Sequence, residues 1–219
     1  ATAFRAVNNT QMPSLLEAWG VPPEKIIILP SFYLDFDLFH PRNHVEASWD
    51  VMFCGRLDSN KGLDLLASTA SIVTRARPNT RFLVVGDGSR LGALESDLRK
   101  RGLTEQFEIH RWLDSPSDLA DCYRRSNVLL CTSYSEGGPR VCLEAMACGT
   151  PVISTPVGIM PEILSDGLGG RLVNWDANNI ASSVLELLNN PLDSNRMGSA
   201  ANQIVQPFNQ DTTLTNYVR

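Results

Sequence analysis

Short aliphatic runs alternate along this chain with stretches in which apolar positions recur every three or four residues. Val51-Met52-Phe53-Cys54 precedes Gly62–Arg75, where Leu63, Leu66, Ala67, Ala70 and Val73 make one helical stripe. Asp64 near its start and Arg75 near its end suit the helix dipole, and Pro78 ends it. Phe82–Val85 leads through Gly86-Asp87-Gly88 to a helical pattern at Leu91–Arg101, stopped by Gly102. Phe107–Ile109 leads to a helix near Ser117–Arg125, and Val128–Leu130 leads through a glycine loop to Pro139–Cys148. Val152–Ser154 and Gly170–Val173 predict two more strands; Asn178–Leu188 and Ser194–Val205 predict two more helices.

Strands that read as unbroken apolar runs, separated by helices, predict a parallel sheet covered on both faces. Right-handed crossovers make this a doubly wound, Rossmann-like α/β fold, whose ligands lie beyond the carboxyl ends of the strands. Residues 49–219 are read as that domain. Residues 1–48 do not share its rhythm. A helix near Gln11–Trp19 and a strand at Ile26–Leu29 read as the last unit of another lobe, and Pro30–Ser48 as a hinge or linker.

Composition narrows the function classes. At roughly 150 residues per domain, 219 residues fall short of two full α/β lobes. Nineteen basic and 24 acidic residues give a net charge of −5, which argues against a nucleic-acid partner. The longest aliphatic run, Ile26–Leu29, is far below the ~20 residues of a membrane span. The chain opens without an initiator Met or a secretory signal, which reads as a processed or excised segment. The five cysteines form no CxxC and read as reduced thiols of a cytosolic protein, so the Asn8-Asn9-Thr10 sequon reads as accidental. His40, His44 and His110 show no metal spacing, His110 reads as a strand end, and no metal is expected.

Two segments carry candidate chemistry. Gly55-Arg56-Leu57-Asp58-Ser59-Asn60-Lys61-Gly62 follows a strand and opens a helix. Its two cations beside helix amides make an anion site able to balance a diphosphate; the plain alternative is a solvated loop. Its order is not that of a P-loop. The second segment runs Ser135-Glu136-Gly137-Gly138-Pro139-Arg140-Val141-Cys142-Leu143-Glu144. Gly137 and Gly138 permit close backbone approach, and Pro139 suits the first helical position, so the Arg140 and Val141 amides face an anion. Glu136 in the loop and Glu144 over a turn into the helix can grip two hydroxyl-bearing parts of one ligand. The plain alternative is a capping Glu136 and a solvated Glu144. Gly86-Asp87-Gly88 reads as a simple strand-to-helix turn. Asp35-Phe36-Asp37, a DxD string, lies in the connector and not on the main sheet.

Taken together, GRLDSNKG and EGGPRVCLEAMACGTPVIST resemble the retaining, glycogen-synthase-like glycosyltransferases of the GT-B fold, family 4. The resemblance covers most of the chain. It implies that residues from Val51 onward form the C-terminal, donor-binding lobe, and that Gly20–Pro41 is the passage from the N-terminal lobe. It implies that Arg56 and Lys61 hold the donor diphosphate and that Glu136 faces the transferred sugar. Gly55, Gly137, Gly138, Pro139, Arg140 and Val141 would border the donor. Glu144 would take the ribose hydroxyls, and Arg111, Trp112 and Leu113 would lie near the base. The donor would be a nucleotide-diphosphate sugar, used without a metal or other cofactor. The acceptor would be a glycan, a lipid-linked sugar or a small molecule. Attack would come from the front face, assisted by the leaving phosphate. The location implied is cytoplasmic, with peripheral attachment at the inner membrane face as the alternative for a full-length parent. The N-terminal lobe is almost wholly missing from the match, so a fragment is expected. Pro30-Ser31-Phe32-Tyr33 stands where relatives usually carry an Asn-Gly turn. Three rival readings are a nucleotide-sugar epimerase lobe, a non-catalytic nucleotide-sugar-binding module and a nicotinamide-dependent oxidoreductase.

Overall fold

The computed structural model describes residues 2–9, 11–29, 33–42 and 45–218. Thr10 of the sequon, the Pro30-Ser31-Phe32 stretch and His44 lie outside the described residues. The chain begins with a small βαβ unit: β1 (Phe4–Ala6), α1 (Gln11–Ala18) and β2 (Ile26–Ile28), with β1 and β2 parallel and Phe4 opposite Ile26. The three-residue β1 has no counterpart in the sequence pattern, because three positions are too few to show a period.

The larger unit follows, alternating strand and helix until a run of helices closes it. It comprises β3 (Trp49–Cys54), α2 (Leu63–Ala76), β4 (Phe82–Val85), α3 (Leu91–Lys100), β5 (Phe107–His110), α4 (Pro116–Arg124) and β6 (Ser126–Cys131). It continues with α5 (Arg140–Ala147), β7 (Val152–Ser154), α6 (Met160–Ile163), β8 (Gly170–Leu172), α7 (Ala177–Asn189), α8 (Pro191–Val205) and α9 (Gln210–Val218). Six strands form one parallel sheet in the order β5-β4-β3-β6-β7-β8. The expected doubly wound α/β fold is therefore the observed one.

The unbroken apolar runs have a direct cause. Val51, Phe53, Val84, Val128 and Leu130 point to one face, against Leu66, Leu94 and Val184 of α2, α3 and α7. Their neighbours Met52, Leu83, Val85, Leu129 and Cys131 point to the other, against Tyr123, Leu143, Met146 and Ala201 of α4, α5 and α8. Both faces are buried, so both parities must be apolar. Local signals set the ends: Ser115 and Asp118 form a capping box at α4, and Asp176 accepts from the Asn178 and Asn179 amides at α7.

The connector and the C-terminus meet. Leu34 and Phe39 are buried in the second core, and the Leu34 amide donates to the Phe208 carbonyl (2.8 Å). The helix α9 beyond that point was not expected from the sequence, since its apolar positions are too few to make a stripe. No described helix is long and apolar enough to cross a membrane.

Candidate functional site

Parallel strands end on one edge of the sheet, and the chain runs outward in opposite directions from β3 and from β6. The crevice beyond the carboxyl ends of these two strands is the expected ligand position. Both motif segments lie there.

The two loops are bonded together. Tyr134 N–H donates to the Asn60 carbonyl (2.8 Å), Asn60 Nδ2 to the Ser135 carbonyl (3.0 Å), and Thr132 Oγ1 to the Lys61 carbonyl (2.9 Å). Gly62 has φ 64°, and a Cβ there would stand 2.0 Å from the Thr132 carbonyl oxygen. The Lys61 ammonium forms an ion pair with Glu136 Oε1, which also accepts from Ser133 Oγ (2.8 Å). The two side chains of that pair are 16% and 14% exposed.

Beside this junction lies a cavity of about 650 Å3, within the range of small-molecule sites. Of the residues singled out for the donor, Gly55, Arg56, Arg111, Trp112, Leu113, Arg140 and Glu144 line it, as do Asp35 of the DxD string and Gly86 and Asp87 of the Gly-Asp-Gly turn. Lys61, Glu136, Gly137, Gly138, Pro139 and Val141 are outside that lining, with Lys61 bonded to the loop that carries Glu136 and Gly137. The Arg56 side chain is 83% exposed, with its guanidinium 3.7 Å from Asp58. Trp112, 81% exposed, stands at the rim.

Glu144 is buried in the wall. Its Oε1 accepts from Arg140 Nε (2.8 Å) and its Oε2 from the Tyr123 hydroxyl (3.1 Å). Burial raises its carboxyl above the ordinary value, while Arg140 and Tyr123 pull the other way. Glu144 is thus not the solvated side chain of the plain reading. The helix α5 starts one residue later than expected. Pro139, at φ −73° and ψ 88°, is the capping residue and not the first helical one, so Arg140 takes that place.

Sequence reasoning passed over several residues here. Asp87, in the supposedly simple turn, lines the cavity and accepts from Arg111 Nη2 (2.8 Å) and Nε (3.2 Å). That guanidinium holds the Asp87 carboxyl below its usual range. The small βαβ unit also reaches the site. Buried Asn8 lies with Nδ2 3.5 Å from the Gly137 carbonyl, and Asn9 donates its amide (2.8 Å) and Nδ2 (2.6 Å) to Glu162. Gly158 backs the same loop from the other side: at its φ of 56°, a Cβ would meet the Gly137 oxygen at 2.7 Å. These partners are more than a hundred residues apart or lie in short turns, and no spacing signals them. His110 does end β5, where Nε2 lies 2.5 Å from Glu108. All five cysteines are free thiols. Among the described residues, no group of three or more His, Cys, Asp or Glu side chains is placed to hold a metal ion.

Comparison with known proteins gives a consistent family. Among curated relatives, the D-inositol 3-phosphate glycosyltransferase of Segniliparus rotundus is 31% identical over 217 residues, covering 91% of this chain and 48% of the relative. That of Rhodococcus erythropolis is 33% identical over 207 residues, covering 86% and 46%. The chain thus spans about half the length of these relatives. Among solved structures, sucrose-phosphate synthase of Thermosynechococcus elongatus has a TM-score of 0.85 at 25% identity, covering 97% of this chain and 56% of that one. A TarM mutant of S. aureus, solved in complex with ligands including UDP, has a TM-score of 0.88 at 19% identity, covering 99% and 43%. The six-stranded unit therefore has the architecture of a GT-B C-terminal domain. The sequence profile of the family described as "Glycosyl transferases group 1" matches residues 36–204. This chain belongs to the group 1 glycosyltransferases.

Proposed function

We propose that this chain is the donor-binding part of a retaining glycosyltransferase that moves a hexosyl group from a nucleotide-diphosphate sugar to an acceptor. The observation that carries this is the junction of the β3 and β6 loops beside a cavity with a buried carboxylate in its wall. In this reading the ribose hydroxyls donate to Glu144, and the base lies against Trp112 and Leu113. The diphosphate meets Arg56, Lys61 and the first amides of α5, with Gly55, Gly137, Gly138 and Pro139 allowing close approach and Val141 among the first-turn amides.

Breaking the glycosyl–phosphate bond builds negative charge on the leaving diphosphate, and fixed cations and helix amides stabilise it without a divalent metal. Glu136 is not asked to form a covalent bond. Held by Lys61 and Ser133 Oγ, its carboxylate has one orientation in which to accept hydroxyls of the transferred sugar. Residues 1–48 are read as the end of the acceptor-side lobe and 49–219 as the donor domain. Turnover, and an acceptor that is a glycan, a lipid-linked sugar or a small molecule, are proposals for the whole protein. A cytoplasmic location, with or without peripheral attachment to the inner membrane face, belongs to the same reading.

Calorimetric titration with UDP, GDP, ADP and NAD in magnesium-free buffer tests this reading. It requires that one nucleoside diphosphate bind. Binding of NAD alone overturns it.

A further inference from the structure

Glu144 makes an interaction that its proposed role does not by itself demand. An ionised carboxylate has about four acceptor positions on its two oxygens. Arg140 takes one on Oε1 and the Tyr123 hydroxyl takes one on Oε2, which leaves one on each oxygen. Glu144 lines the cavity, whereas Tyr123 is fully buried behind it in the core between α4 and the sheet.

Tyr123 is itself fixed from several sides. Its carbonyl accepts from Thr150 Oγ1 (2.7 Å), and its ring meets that of Phe39 at 6.2 Å between centroids. Cys54, on the cavity wall, packs against the core that holds this ring. An ionised carboxylate can only accept, so the phenol proton is directed to Glu144. Burial raises the Tyr123 proton affinity, so the phenol keeps the proton it donates at neutral pH. The phenol therefore meets Glu144 with one polarity and from one side.

We infer that Tyr123 is a positioning residue for ribose selection: from behind the cavity wall its hydroxyl fixes Glu144 so that one lone pair on each oxygen faces the two adjacent hydroxyls of a nucleotide ribose. The inference rests on the donor-binding reading above. It adds that discrimination between ribose and a deoxyribose is set by a residue that never touches the ligand.

The experiment compares the tightest-binding of UDP, GDP and ADP with its 2′,3′-dideoxy analogue, by calorimetry on the wild-type chain and on Tyr123→Phe. Loss of the net value of one ordinary hydrogen bond, felt through the position of Glu144, predicts that Tyr123→Phe weakens the ribonucleotide by about five- to tenfold. Affinity for the dideoxy analogue stays within about twofold, which also shows that the variant is folded. A variant that keeps the wild-type ratio overturns the inference and leaves the donor-binding reading intact. A wild-type chain that binds neither nucleotide overturns both. A wild-type chain that binds the two equally removes the ribose role of Glu144, and that of Tyr123 with it. A second measurement avoids a folding risk: 3-fluorotyrosine placed at position 123 alone is followed by 19F NMR. Its resonance should move with the ribonucleotide and stay in place with the dideoxy analogue; the same response to both overturns the inference.

Discussion

The Lys61 ammonium and the Glu136 carboxylate, 75 residues apart in the chain, are paired to each other across the junction between the β3 loop and the β6 loop. The resemblance assigns them to different parts of one donor, the cation to the diphosphate and the carboxylate to the sugar. Their pairing couples the two assignments. In the proposed reading, a phosphate would meet a cation already oriented by Glu136, and the sugar would meet a carboxylate already oriented by Lys61.

Both members are mostly buried, so removing one leaves the other as an uncompensated charge. Lys61→Met and Glu136→Gln should each destabilise the fold by about 2–3 kcal/mol. The double variant should lose less than the sum, with a coupling of about 1–2 kcal/mol. Urea denaturation of the four proteins measures this. Additive losses would mean that the pair is not formed in solution.

Nucleotide affinity should depend on pH through Glu144. Burial raises its carboxyl above the ordinary 4.5, and the ionised form is the one that accepts ribose hydroxyls. Affinity should therefore fall as pH is lowered through the carboxyl's raised range, and Glu144→Gln should flatten the curve. The folding linkage has the opposite sign. A raised folded-state pKa means that the folded chain holds the proton more tightly, so this group's contribution to stability declines as pH rises from the unfolded value through the folded one. Calorimetry and urea denaturation over the same pH series would expose the two slopes.

Gly62→Ala should cost at least about 2 kcal/mol, because a left-handed backbone and a carbonyl oxygen in the path of the new methyl act together. Gly92→Ala, at the exposed second position of α3 with open space around it, should be neutral or stabilising by up to about 1 kcal/mol. Chemical denaturation of the two variants gives opposite signs if the site depends on this close approach.

Trp112 is one of four tryptophans and stands exposed at the cavity rim. Binding of a nucleoside diphosphate should change the intrinsic fluorescence, and Trp112→Phe should remove most of that change. A full response in the variant would move the base away from Trp112.

The main sheet was legible because period and burial coincide: residues such as Val51, Met52 and Phe53 are apolar at every position, and strands buried on both faces require this. The segments Gly55–Gly62 and Ser135–Glu144 were legible because glycines and charges cluster directly after such strands. The pairing of Lys61 with Glu136, the contact of Asn8 with the Gly137 loop and the hydroxyl of Tyr123 behind Glu144 were not. Each depends on how distant segments pack, and tyrosine on an amphipathic helix looks the same in sequence whether its hydroxyl meets a carboxylate or water. The role of Asp87 in the wall was not legible for a related reason: a Gly-Asp-Gly turn has no spacing that announces Arg111, 24 residues later, as its partner.

The main-chain bond between Leu34 and Phe208 has a consequence for protein engineering. The stretch from 34 to 208 starts and finishes at directly bonded neighbours, so its two ends can be joined by a short linker. Such a module is suited to circular permutation, with new termini in an exposed loop such as the one around Gly167, and to insertion as a unit into a host protein.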